Sequence, residues 1–143
     1  MTHVTKSIEE TMALGERLAK QLKAGAVVAL SGDLGSGKTV LTKGIARGLG
    51  VKHARYVNSP TFVIVKEYRG KLPLYHFDLY RLNTQSALDI EGFEEYFYGD
   101  GVVVVEWADK IRTHLPSSYV EVTLKVTGES TRKITVKNIK RKA

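Results

Sequence analysis

There is no cysteine anywhere in the 143 residues, which excludes structural disulfides and thiolate metal centres. Long apolar runs are missing as well. No stretch approaches the ~20 residues that a membrane span requires, and Met1-Thr-His-Val-Thr-Lys6 carries no apolar signal region. The expectation is a cytoplasmic protein with no membrane partner. Internal repeats, low-complexity stretches and linkers are absent, so residues 1–143 read as a single domain with little room for a separate substrate-binding unit. The balance of 43% hydrophobic and 26% charged residues is that of an ordinary globular chain.

What is present is more specific. Residues Gly32-Asp-Leu-Gly-Ser-Gly-Lys-Thr39 complete the pattern G-x-x-x-x-G-K-[ST]. They lie between the apolar run Ala26–Leu30 and a segment, Val40–Leu49, with helical character. Strand, glycine-rich turn and helix start are the context that gives this motif its chemistry. Gly32, Gly35 and Gly37 allow a tight turn that aims successive N–H groups at phosphate oxygens, and the helix start adds partial positive charge. Lys38 is expected to reach the β- and γ-phosphates and the Thr39 hydroxyl to ligate Mg²⁺. The expected nucleotide-binding set is Asp33, Leu34, Gly35, Ser36, Gly37, Lys38, Thr39 and Val40, and the expected ligand is a nucleoside triphosphate.

Charge is unevenly spread along a chain of net +7: six of the 22 basic residues follow Glu129, whereas Leu82–Asp109 holds seven acids and no Lys or Arg. The basic end either solvates the terminus or meets nucleic acid or an acidic protein surface.

Ser7-Ile-Glu-Glu10 has the form of a capping box opening an amphipathic helix, with Gly25 as its stop. Gly50 ends the helix that follows the glycine-rich loop. Thr61–Tyr68 and Leu72–Leu82 read as a hairpin, Thr84–Tyr98 as short acidic helices, Asp109–His114 as a helical turn, and Tyr119–Val126 with Lys133–Ile139 as a closing hairpin. Val102–Val105 is a continuous β-branched run, as expected of a strand buried on both faces. The fold class that follows is α/β, a P-loop NTPase fold. Its central sheet is mostly parallel with antiparallel hairpin additions, and helices lie on both faces.

A triphosphate site of this kind needs a carboxylate at the end of a buried strand, and Glu106 follows the four valines. It stands where Asp is more usual, and its longer arm can ligate Mg²⁺ or position the attacking water. Alternation puts Trp107 opposite Glu106 unless the strand has ended, leaving it either in the core or beside the nucleotide or a partner. In Leu74-Tyr-His-Phe-Asp-Leu-Tyr-Arg81, alternation separates Tyr75, Phe77 and Leu79 from His76, Asp78 and Tyr80. Asp78 is a candidate second acid on the Mg²⁺ side, with His76 either its supporting neighbour or a structural residue. Asn58-Ser-Pro-Thr-Phe62 is either an ordinary turn or a switch segment in which Ser59 and Thr61 sense the γ-phosphate.

Together these residues resemble the TsaE family, formerly YjeE, over nearly the whole chain. The motifs are Thr11 with Leu14-Gly-Glu16, the glycine-rich loop, Ser59-Pro-Thr-Phe62, His76-Phe-Asp-Leu-Tyr-Arg81 and Glu106-Trp107. The resemblance implies the small ATPase of the bacterial machinery that makes threonylcarbamoyladenosine in tRNA, with ATP and Mg²⁺ as cofactors. By that likeness Lys38 binds phosphate, Thr39 and Glu106 sit at Mg²⁺, Asp78 is essential near the metal, and Thr61 belongs to a switch-like loop. It also implies an adenine pocket between the N-terminal segment and the C-terminal hairpin, near Thr11 and Arg132. The implied partners are TsaD, which transfers the threonylcarbamoyl group, and TsaB, with tRNA reached indirectly through their complex.

The residues themselves leave two other functions open. One is a small-molecule kinase with Asp78 as base on an acceptor hydroxyl. The other is a nucleotide-gated RNA-binding module using the basic tail. A partner-activated ATPase is favoured because there is no guanine-reading N-K-x-D motif and no arginine-rich lid beyond Arg81 and Arg112.

Overall fold

A seven-stranded sheet with the order β1-β7-β6-β2-β5-β4-β3 organises the chain. It is seen in a computed structural model that describes residues 1–52, 54, 65–78, 96–97, 99–108 and 115–140. In chain order the elements are β1 Thr2–Thr5, α1 Ile8–Ala19, β2 Val27–Ser31, α2 Lys38–Gly48, β3 Val65–Tyr68, β4 Leu74–Asp78, β5 Val102–Glu106, β6 Ser118–Val126 and β7 Arg132–Lys140. The glycine-rich loop leaves β2, the middle strand, which pairs in parallel with β5 on one side and β6 on the other. β4 extends the parallel block beyond β5. The hairpins β3–β4 and β6–β7 then add antiparallel strands on either side.

The parallel block explains the valine run. Val102, Val103, Val104 and Val105 are all fully buried because both faces of β5 are covered. On one face Val28, Leu30, Val102, Val104, Val122 and Leu124 pack with Leu14 and Leu18 of α1 and Leu41 and Ile45 of α2. On the other, Val27, Ala29, Val103, Val105 and Phe77 pack with Phe97, Ala108, Leu115 and Tyr119. Both described helices lie on the first face. The segments expected to supply helices to the second, Thr84–Tyr98 and Asp109–His114, fall mostly outside the described residues.

The two helices approach closely because both carry glycine where they touch. A Cβ on Gly15 would lie 2.4 Å from the Leu41 carbonyl oxygen, and one on Gly44 would lie 2.1 Å from the Met12 carbonyl oxygen. The exposed Glu16–Arg47 ion pair, 2.9 Å, joins the same helices but adds little in water.

Several boundaries differ from the sequence expectation. Ser7 does cap α1, accepting from the Glu10 N–H at 3.1 Å, yet the helix stops at Ala19 rather than running to Gly25. Its end tightens into i→i+3 bonds from Lys20, Gln21 and Leu22 to Arg17, Leu18 and Ala19. β1 was not legible at all. It exists by pairing with β7, Thr2 opposite Thr135 through Thr5 opposite Arg132. β4 was expected to bury one face, but Leu74, Tyr75, His76 and Phe77 are all buried, because both faces are covered: Leu74 packs in the cluster with α1 and α2, Tyr75 and Phe77 in the opposite one.

Candidate functional site

The C-terminal ends of β2, β4 and β5 open into one cleft of about 790 Å³. Its walls include Lys38, Thr39 and Val40 at the start of α2, Leu34, Gly35 and Gly37 of the loop, and Asp78, Glu106 and Trp107 from the strand ends. The rim is formed by Lys6–Glu9 and Thr11 on one side and by Glu129, Ser130 and Arg132 on the other.

The loop is shaped by its glycines. Gly35 and Gly37 hold φ of 79° and 105°, values that a side chain opposes, and Gly37 is the N-cap of α2. No side chain caps that helix start, so its N–H groups and positive dipole end face an anion-sized recess. Lys38, the first residue of α2, is buried, and its Nζ donates to the Gly32 carbonyl, to the Asp33 carbonyl at 2.9 Å and to Ser36 Oγ at 3.5 Å. The ammonium therefore lies inside the loop, within reach of whatever occupies it.

Glu106 is almost fully buried. One carboxylate oxygen receives the Thr39 hydroxyl at 3.5 Å and the other is hydrogen-bonded to His76 Nε2. Asp78 is its register partner on β4. Neighbouring strands lie only ~4.8 Å apart, so the two acids leave the sheet side by side beneath Thr39. The donors gathered here, a hydroxyl and two carboxylates, are all oxygen. That is the set a hard divalent cation takes, and Mg²⁺ in particular uses one or two carboxylates together with phosphate oxygens and water. The residues fit magnesium brought in with a nucleotide.

Trp107 combines its two sequence alternatives, core packing and a place at the cleft. The strand ends at Glu106 and Trp107 adopts φ 62°, the only positive φ outside glycine among the described residues. Partly buried, the indole packs against the core of the second face and also lines the cleft, with Lys38 Nζ 4.2 Å from the ring centroid. A non-glycine residue in that backbone region marks a local constraint.

Thr11 and Arg132, remote in sequence, both reach the loop. The Thr11 hydroxyl bonds that of Thr5 at 2.7 Å, and its methyl lies against Gly37. Arg132 donates to the carbonyls of Gly128 and Thr131 in its own hairpin, at 3.2 and 2.9 Å, and to the Gly35 carbonyl at 3.1 Å. The structure thus brings together Lys38, Thr39, Asp78, Glu106, Thr11 and Arg132. Ser36 is buried inside the loop, and Asp33 contributes its carbonyl to Lys38. Ser59 and Thr61, expected in a switch segment, lie outside the described residues, as do Tyr80, Arg81 and Arg112. The tie between His76 and Glu106 was not legible in the sequence, which set His76 beside Asp78 or in the core, because a lone histidine on a strand carries no signal of what the neighbouring strand presents.

A glycine-rich loop joining a central parallel strand to a helix, with an acid ending the adjacent strand, defines a P-loop NTPase fold. Residues 5–134 match the family model described as "Threonylcarbamoyl adenosine biosynthesis protein TsaE". A Bacillus subtilis protein named as a tRNA threonylcarbamoyladenosine biosynthesis protein TsaE is 49% identical, over 92% of this chain and 81% of its own. One of the same name from Treponema pallidum is 40% identical, over 95% and 99%. The crystal structure of Bacillus subtilis YdiB superposes with a TM-score of 0.78 at 40% identity, covering 97% of this chain and 84% of that one. The chain belongs to the TsaE family. Among the described residues no helix is long and apolar enough to cross a membrane.

Proposed function

We propose that this chain is a Mg²⁺-dependent ATPase that works in the cytoplasm with TsaB and TsaD in forming threonylcarbamoyladenosine in tRNA. The observation that carries the reading is the convergence of Lys38, Thr39, Glu106 and Asp78 on one cleft that Thr11 and Arg132 also line. Family membership and the relatives' names supply the pathway.

In this reading the loop N–H groups and Lys38 bind the phosphates, exchanging the loop carbonyls that Lys38 now contacts for phosphate oxygens. Thr39, Glu106 and Asp78 hold the metal. Magnesium, when bound, neutralises charge developing on the transferred phosphoryl group and its leaving group. Glu106 faces the phosphate end of the cleft, where its carboxylate can orient a water for in-line attack. Trp107 closes one wall and helps exclude bulk water. Thr11 and Arg132 flank the cleft from its two rims, and the adenine and sugar belong between them.

Nucleotide titration tests the site. Lys38→Ala should abolish productive ATP binding, and Thr39→Ala should remove most of the gain in affinity that Mg²⁺ gives the wild type. Wild-type ATP affinity in Lys38→Ala would overturn the assignment.

A further inference from the structure

His76 is completely buried and does not line the cleft. Its ring nevertheless touches the site through one contact, Nε2 to Glu106. The other nitrogen, Nδ1, is buried with no hydrogen-bond partner among the described residues. Buried polar atoms are ordinarily satisfied, and a histidine kept only to fill the core has no need of a bond to an acid at the end of the neighbouring strand. Here the one hydrogen bond the ring makes among the described residues is directed at the carboxylate beneath Thr39.

The register shows how this is achieved. His76 opposes Val104 and Asp78 opposes Glu106 on the adjacent parallel strand. His76 and Asp78 share a face of β4, so the imidazole reaches Glu106 diagonally from below while Asp78 stands beside it. A glutamate has one more torsion than the aspartate usual at such strand ends, and without a tether its carboxylate can rotate away from Thr39. The Nε2–H holds one oxygen and leaves the other facing Thr39. Unlike a histidine that binds metal directly, this one orients the acid that would.

We propose that His76 is a positioning residue: it fixes the Glu106 carboxylate in the orientation that receives Mg²⁺ at the Thr39 hydroxyl. The proposal rests on the nucleotide-site reading above. Outer-shell hydrogen bonds to metal ligands change metal affinity by about 10–100-fold, and an effect of that size is expected here.

The test uses the full chain, a fluorescent ATP analogue and a Mg²⁺ titration. His76→Leu should raise the Mg²⁺ concentration for half-maximal enhancement of nucleotide binding by about 10–100-fold. Affinity measured in EDTA should stay near wild type, since the ring touches neither phosphate nor base. His76→Gln, whose amide N–H can replace Nε2–H, should recover most of the Mg²⁺ response. A folded His76→Leu with wild-type Mg²⁺ dependence, or a His76→Gln as impaired as His76→Leu, would overturn the role. Nitrogen-15 spectra of the wild-type imidazoles provide a readout that does not depend on a folded variant. The His76 Nε2–H should be protected from exchange and should shift when Mg²⁺ is added to the nucleotide complex. A freely exchanging or unmoved resonance would overturn the proposal. If the wild type bound the analogue with no Mg²⁺ response at all, the site reading itself would fall, and that result is separate from any difference among the variants.

Discussion

Adding one methyl group at Gly44 should destabilise the protein and loosen the cleft together. The new Cβ would sit 2.1 Å from the Met12 carbonyl oxygen, 2.9 Å from its carbonyl carbon and 3.0 Å from its Cα. All three atoms are backbone, so no rotamer change relieves the contact and α1 has to move away from α2. Overpacking of this kind costs about 1–3 kcal/mol, with backbone clashes at the upper end. Alanine recovers at most ~1 kcal/mol of helix propensity over glycine. The net expectation is a loss of about 2 kcal/mol, which for a chain of this size lowers Tm by roughly 4–8 °C. Urea denaturation should show a lower midpoint at an unchanged slope. Because α1 places Thr11 against the loop and α2 begins with Lys38 and Thr39, ATP affinity should fall as well. A Gly44→Ala protein as stable as wild type would refute the close-packed helix crossing.

The two acids divide metal binding from recognition of the base. Glu106→Ala and Asp78→Ala should each reduce ATP turnover by about 10²-fold or more, as expected for groups acting on the reacting phosphate or its water. Binding of adenosine should change little in either variant, and a variant with full turnover would remove that acid from the site. Tyr75 gives a pH signature. Its hydrogen bond to Asp100, 2.9 Å, with burial adding, pushes the phenol up from 10.0 to about 12. The folded state thus holds this proton more tightly than the unfolded chain. Its stabilising contribution is full below about pH 10 and is lost as pH rises towards about 12. Tyr75→Phe should flatten that part of the stability profile in denaturant melts, and equal slopes in both proteins would contradict the assignment.

The parts of the site that a local pattern can carry were legible. The glycine-rich loop announces itself by spacing, and β5 by four valines ending in an acid, so β2 and β5 could be placed in one sheet. Hairpin β6–β7 followed from alternation around Gly128-Glu-Ser130. What escaped depends on partners remote in sequence. β1 has only four residues and no apolar pattern, and it is a strand because β7 offers it an edge. Trp107 defeats alternation because the backbone turns at φ 62°. His76 shares the polar face of β4 with Asp78, but its burial and its tie to Glu106 come from β5. The helix crossing was invisible for a related reason. Gly15 and Gly44 stand inside otherwise ordinary helical patterns, and only the contact between the two helices explains them.

Whether this cleft hydrolyses ATP for a larger complex is decided by phosphate release from the purified chain, alone and with TsaB and TsaD, at saturating Mg²⁺ and ATP. The chain alone should release phosphate slowly, and the complex should stimulate it strongly. Where a partner completes such a site with a catalytic arginine, the gain can reach ~10³–10⁵. Stimulation should vanish in Glu106→Ala. Equal turnover with and without TsaB and TsaD, or stimulation that survives Glu106→Ala, would contradict it.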